Sequence, residues 1–200
     1  MICFNVTELP SHEQHNMRIA QGWLTTADRL NSPNTDLRPP QADISLLVVH
    51  NISLPPEQFG GPYIGQLFCN CLNPDEHPYF AEVAHLKVSS HLLIDRSGNI
   101  VQFVPFHQRA WHAGVSVFEG RDNCNDFSIG IEMEGADNIA YTDHQYSVLA
   151  AVTLLLCNEY PSITAQRIVG HSDIAPGRKT DPGPAFDWQH FRYLLAQRGG

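Results

Sequence analysis

Two histidines stand where a metal site could be built. His50 closes the short apolar run at residues 45–50 (SLLVVH), where rigid backbone gives way to a loop. His171 follows a second apolar run, IVG, and opens the segment HSDIAPGRKTDPGP, which carries Lys179 and Asp181. Pro176, Gly177, Pro182, Gly183 and Pro184 bend or restrict that segment. Two neutral imidazoles and one carboxylate make the three-ligand set of a catalytic zinc ion, which keeps a position for water; structural sites close with four ligands. Zinc polarises a carbonyl and brings the pKa of water down to roughly 7. Amide hydrolysis also needs a group that carries a proton from the water to the leaving amine. Glu132 suits that task, because the alternation in residues 128–133 (SIGIEM) sets it on the face opposite Ile129, Ile131 and Met133. Lys179 could hold the negative charge that develops on the carbonyl oxygen. On the residues alone, a solvated strand carboxylate and a surface lysine stay open as alternatives.

The remaining polar chemistry is less specific. His12, His15, His144 and His190 fall on polar or helical-surface stretches, whereas His77, His85, His91, His107 and His112 are harder to set aside. The five cysteines are odd in number and scattered, and the Cys69-x-Cys71 pair has no second pair to complete a zinc ribbon. They read as free thiols of a reducing compartment. Cys124 with His112 could form a nucleophilic pair, but no cysteine-protease signature surrounds them. GGPYIG lacks the lysine and spacing of a phosphate-binding loop and reads as a flexible turn. A formal charge of −9 without a Lys/Arg cluster argues against nucleic-acid or acidic-membrane partners. No apolar stretch approaches the roughly 20 residues that cross a bilayer, and residues 1–16 carry no basic leader, so a cytoplasmic location is expected.

These groups need elements to position them. Two hundred residues suffice for one domain with a substantial core. Residues 1–21 read as an N-terminal extension and 22–200 as the catalytic domain. Residues 31–40 are rich in turn formers, and residues 45–50 form a buried central strand. Residues 91–95 and 100–104 flank RSGN as a hairpin. A helix is expected over 143–160, opened by the T-x-x-Q capping box of Thr142 and Gln145 and stopped by Pro161. Val148, Ala151, Val152 and Leu155 would share its buried face. A last helix follows Asp187 as N-cap, with Phe186 and Phe191 as a staple and Trp188, Phe191 and Leu195 as its apolar stripe. The irregular alternation of strands and helices predicts an α/β fold: a single domain with a mixed central β-sheet flanked by helices.

The blocks LLVVHNISLPP, FGGP, AHLKVSSHLLI, VPFHQRAWHAGVS, CNDFSIGIEMEG and GHSDIAPGRKTDPGPAFDW, in this order, closely resemble the AmpD-type anhydromuramyl-peptide amidases. These belong to the zinc amidase group that includes phage T7 lysozyme and the peptidoglycan recognition proteins. The likeness runs over about residues 22–195. It implies Zn2+ held by His50, His171 and Asp181, with Glu132 as proton acceptor and Lys179 stabilising the transition state. It also implies substrate contacts from Asn51, Lys87, Trp111, His112 and Arg121. The implied substrate is a small-molecule muropeptide of peptidoglycan recycling, cut between (anhydro-)N-acetylmuramic acid and L-alanine. Its stem peptide carries carboxylates, for which Lys87, Arg109, Arg121 and Arg178 are the nearby cations. Lys87 and Asn123 depart from the pattern, since relatives often carry arginine there, and lysine cannot fork onto a carboxylate. A non-catalytic muropeptide receptor is disfavoured by the full ligand set, and a periplasmic amidase by the missing wall-binding module. A monomer is expected. By family, loss of such an enzyme lets muropeptides accumulate and links it to β-lactamase induction in hosts that carry that circuit.

Overall fold

Parallel strands covered on both faces require unbroken apolar runs, and the middle of this chain supplies them. The computed structural model describes residues 17–198. Its main sheet has six strands: β1 (Asp28–Arg29), β2 (Leu46–Ile52), β3 (Leu92–Ile94), β4 (Ile100–Gln102), β5 (Ser128–Glu134) and β6 (Ile168–Gly170), in the spatial order β6-β2-β5-β3-β4-β1. The first four in that order are mutually parallel. β3 and β4 form the antiparallel hairpin predicted around RSGN, and β1 returns parallel to β4, so the sheet is mixed as expected.

Among the described residues, five α-helices accompany the sheet: α1 (Tyr63–Phe68), α2 (Pro78–Val83), α3 (Asp143–Glu159), α4 (His171–Ile174) and α5 (Trp188–Arg198). Period-two alternation decides which side chains meet them. Leu47, Val49, Ile129, Ile131 and Met133 point to one face, where α3 and Phe191 of α5 cover them. Each such side chain, fully buried, contributes roughly 1.5–3 kcal/mol. Leu46 and Val48 point the other way, into a smaller cluster with Ala113, Cys124, Phe127 and Ile174. On that same side Leu93 and Phe103 lie with Leu67, Phe68 and Phe80 of α1 and α2. His50 and Glu132 share this second side by the same alternation, away from α3.

The capping box forms as predicted. Thr142 Oγ1 accepts from the Gln145 backbone N–H at 3.1 Å, and Gln145 Oε1 accepts from the Thr142 N–H at 3.1 Å. Gln145 Nε2 then donates to the Glu134 carbonyl at 2.9 Å, tying the start of α3 to the end of β5. The buried face of α3 differs from the prediction: Leu149, Ala150 and Leu156 join Val148 and Val152, while Ala151 and Leu155 are half-buried. The helix packs against both the sheet and α5, so its apolar band is broader than one stripe. Asp187 Oδ1 accepts from the His190 N–H at 2.8 Å, and the Phe186 and Phe191 rings lie 5.9 Å apart, as a cap and staple should. Of the predicted stripe only Phe191 is fully buried, with Trp188 and Leu195 partly so.

Several stretches read as loops carry structure. Thr35–Leu37 pairs antiparallel with Gln108–Ala110. GGPYIG is a turn only at Gly60 and Gly61, whose φ values of +81° and +79° favour glycine, and Tyr63 already begins α1. Ile19–Ala20 pairs with Trp23–Leu24, and Met17 and Ile19 pack against the core, so the packed chain is under way before residue 22. Residues 1–16, with Cys3, His12 and His15, lie outside the described residues. Cys69, Cys71, Cys124 and Cys157 are free thiols. Among the described residues no helix is long and apolar enough to cross a membrane.

Candidate active site and metal centre

The sheet register builds the centre. Glu132 of β5 is the direct partner of His50 on β2, and Gly170 on β6 is the partner of Val49. His171, the next residue after Gly170, therefore leaves the sheet level with His50. Three adjacent parallel strands thus deliver His171, His50 and Glu132 side by side towards their carboxyl ends, where open α/β sheets bind ligands. The loop after α4 brings Asp181 back: the Ser172 N–H donates to the Asp181 carbonyl at 3.0 Å, and the Tyr141 hydroxyl donates to the Pro182 carbonyl at 2.8 Å.

His50 Nδ1, His171 Nδ1 and Asp181 Oδ2 form a triangle with 3.0 Å sides. No other group of His, Cys, Asp or Glu side chains among the described residues converges in this way. Three hydrogen-bond acceptors cannot satisfy one another, but they can satisfy one cation. A tetrahedral zinc ion with ligand distances of roughly 2.0–2.1 Å sets its donors about 3.3 Å apart, close to the observed spacing. The residues present therefore fit a metal ion. Burial, assisted by the proximity of His171 and the Lys179 charge, lowers the His50 pKa to about 4 even though Asp181 opposes, so this imidazole is neutral and available as a ligand. Burial pushes the Asp181 carboxyl up, but its close approach to the His171 and His50 rings outweighs this and holds the group below the usual carboxylate range.

Glu132 lies beside this triangle and is 8% exposed; its Oε2 has no hydrogen-bond partner among the described residues. Burial first, and the Asp181 charge second, push its pKa well above the ordinary value, with Lys179 opposing. A carboxyl so placed has a raised proton affinity, which suits a general base that takes a proton and later returns it as an acid. Lys179 is exposed and lines the same cleft, of about 330 Å³. The other wall is apolar, built by Leu67, Phe68, Tyr79, Val83 and Leu86 from α1, α2 and the segment after them.

A family model described as N-acetylmuramoyl-L-alanine amidase matches residues 40–184, a span that contains the whole centre. The chain belongs to this amidase family. The 1,6-anhydro-N-acetylmuramyl-L-alanine amidase AmpD of Escherichia coli (strain K12) is 61% identical over 181 residues, covering 90% of this chain and 98% of its own. A crystal structure of a selenomethionine derivative of AmpD matches the fold with a TM-score of 0.87 at 60% identity, over 90% of this chain and 99% of that one. A more distant neighbour is the E. coli N-acetylmuramyl-L-alanine amidase AmiD, solved with the substrate anhydro-N-acetylmuramic acid-L-Ala-D-γ-Glu-L-Lys. It has a TM-score of 0.55 at 26% identity, over 90% of this chain and 66% of that one.

The amidase cleft takes up some of the substrate residues expected from sequence and not others. Asn51, Trp111 and His112 line it. Asn51 is tethered, its Nδ2 donating to Asp137 Oδ1 at 2.8 Å. Lys87 is exposed at the rim between Leu86 and Val88, which do line the cleft. Arg121 does not line it; its guanidinium stacks 3.9 Å over the Phe127 ring. Arg109 is engaged by Asp36 and Asp126 at 2.6 Å each, and Arg178 donates to the Ala113 and Val115 carbonyls at 2.7 and 2.6 Å. Both are therefore committed to holding loops rather than free for a substrate carboxylate.

Two of the other histidines have structural duties. His77 Nδ1 accepts from the Tyr79 N–H at 3.1 Å at the start of α2, and buried His91 accepts from the Gly130 N–H at 3.0 Å. Cys124 is buried in an apolar cluster, which raises its thiol pKa. Both ring nitrogens of His112 face partners other than Cys124, so the cysteine–histidine alternative falls away. The apolar wall was missed in the sequence, although a Leu/Phe pair in a short helix beside FGGP was a signal for it. Two contacts to the segment at His112 were missed as well: Asn125 Oδ1 accepts from the His112 and Ala113 N–H groups, and Ser128 Oγ lies 3.1 Å from His112 Nε2.

Proposed function

We propose that this amidase hydrolyses the amide bond between (anhydro-)N-acetylmuramic acid and L-alanine in muropeptides, using zinc held by His50, His171 and Asp181. The observation that carries this reading is the convergence of three ligand atoms beside the buried Glu132 carboxyl, whose Oε2 has no hydrogen-bond partner among the described residues. When bound, zinc supplies Lewis-acid chemistry, polarising a carbonyl and acidifying water. Glu132 takes a proton from the attacking water as the new carbon–oxygen bond forms at the lactyl carbonyl. Lys179 balances the negative charge on the carbonyl oxygen. Glu132 then returns the proton to the alanine nitrogen as the carbon–nitrogen bond breaks, leaving a muramyl carboxylic acid and a peptide amine, which ionise to carboxylate and ammonium as the acid's proton passes to the amine. The named substrates of AmpD and AmiD support the anhydro-muropeptide class.

The free thiols support a cytoplasmic, reducing setting, the setting this reading gives to a role in peptidoglycan recycling. One chain supplies every group of the centre, in keeping with a monomer. In a host with the circuit, loss of the enzyme is expected to raise muropeptide levels and β-lactamase expression. The substrate reading is tested by comparing hydrolysis of anhydro-muramyl and reducing-end muramyl tripeptides by the zinc-loaded protein. Faster release of peptide from the anhydro compound supports the reading, whereas cleavage of neither compound contradicts it.

A further inference from the structure

An imidazole presents a lone pair to a cation from one nitrogen only when its proton sits on the other, and a partner at that far nitrogen fixes this arrangement. Here two consecutive residues meet both far nitrogens. The Ala113 carbonyl accepts from His171 Nε2–H at 3.1 Å, and His112 Nδ1 lies 2.9 Å from His50 Nε2. This two-residue segment is itself held. Asn125 Oδ1 accepts from the backbone N–H groups of His112 at 3.0 Å and Ala113 at 2.8 Å. Ser128 Oγ lies 3.1 Å from His112 Nε2. Gly130 leaves the ring its room, since a Cβ there would stand 2.5 Å from His112 Cγ.

We infer that His112 is a positioning residue: its Nδ1 accepts the His50 Nε2–H, so that His50 Nδ1 faces the metal position as a lone pair, and Ser128 Oγ takes the His112 Nε2–H. The inference rests on the zinc reading above and concerns how this chain prepares its own ligand. With both ring nitrogens engaged, His112 offers substrate its ring surface and no free polar atom. Mere packing would be served equally by an apolar side chain of similar size; the proposed role would not.

The test uses the full chain and two readouts apart from turnover. Zinc affinity is measured by competition with a chelating dye for the parent, His112→Leu and His112→Asn, with folding checked by circular dichroism. The imidazole ¹⁵N–¹H correlation spectrum of the zinc-loaded parent locates the protons. His112→Leu is expected to weaken zinc binding by roughly 10–100-fold. His112→Asn, whose Oδ1 can accept in place of Nδ1, is expected to recover most of that loss. The spectrum should place the His50 proton on Nε2. A parent that binds no zinc overturns the metal reading and this inference with it. Tight zinc in the parent with unchanged affinity in folded His112→Leu overturns the role of His112 alone. If His112→Leu does not fold, the parent spectrum decides, and a proton on His112 Nδ1 facing a bare His50 Nε2 overturns the inference.

Discussion

At Glu132, burial and the nearby Asp181 charge favour the protonated acid in the folded protein, while in an unfolded chain the group titrates near its ordinary value of about 4.3. The folded state therefore holds more protons over the window between those two pKa values, and the stability of the metal-free protein falls as pH rises through it. Glu132→Gln cannot ionise, so it is expected to melt higher than the metal-free parent near neutral pH and to lose that advantage below about pH 4. Parallel melting curves at both pH values would contradict the buried-acid assignment. In the zinc-loaded enzyme the same variant is expected to lose at least about 10²-fold in turnover while keeping its metal. Asp181→Ala should instead release the metal, and stoichiometric zinc by elemental analysis would remove Asp181 from the proposed ligand set. His50, His171 and Asp181 were only one candidate set on strand ends and a proline-rich return loop alone, and the family resemblance singled them out. Asn125 and Ser128 were not legible, because their partners come from segments that meet only in the folded protein.

The strand is the element that sets the site. On β5, Ser128, Gly130 and Glu132 alternate with Ile129, Ile131 and Met133, so one strand packs against α3 with one side and makes room for chemistry with the other. The return loop is fixed just as tightly at one point. Gly183 has a φ of +80°, and an added Cβ would lie 2.2 Å from the Asp137 Cα. Gly183→Ala is therefore expected to cost more than about 1 kcal/mol in stability and to speed zinc release by displacing Asp181. Unchanged melting and zinc off-rates would show that the loop is not braced there. Thr142→Ala removes half of the capping box and is expected to cost about 1 kcal/mol with the centre intact, measured by denaturant unfolding. The hairpin and this cap were legible because both are local. The buried face of α3 was misread because α5, distant in sequence, covers it on a second side.

For the whole molecule, the apolar run at residues 46–49, the alternating strand at 128–133 and the irregular succession of strands and helices were enough to predict a sheet core with helices around it. The apolar cleft wall left a weaker trace, because α1 and α2 are short and their pattern is shared with ordinary core. In a protein with a net charge of −9, Arg109 and Arg178 are spent on structure, which leaves Lys179 in the cleft and Lys87 at its rim. Zinc bound only by the folded protein should also stabilise it, by about 2.7 kcal/mol when free zinc stands 100-fold above the dissociation constant. The most direct measurement of the central claim is mass spectrometry of the purified protein incubated with anhydro-muramyl tripeptide, before chelation, after chelation and after zinc is restored. Free tripeptide is expected before chelation, none after it, and a return of cleavage with zinc. Undiminished cleavage by the fully chelated protein, or none by the zinc-loaded one, would contradict a zinc amidase acting at this centre.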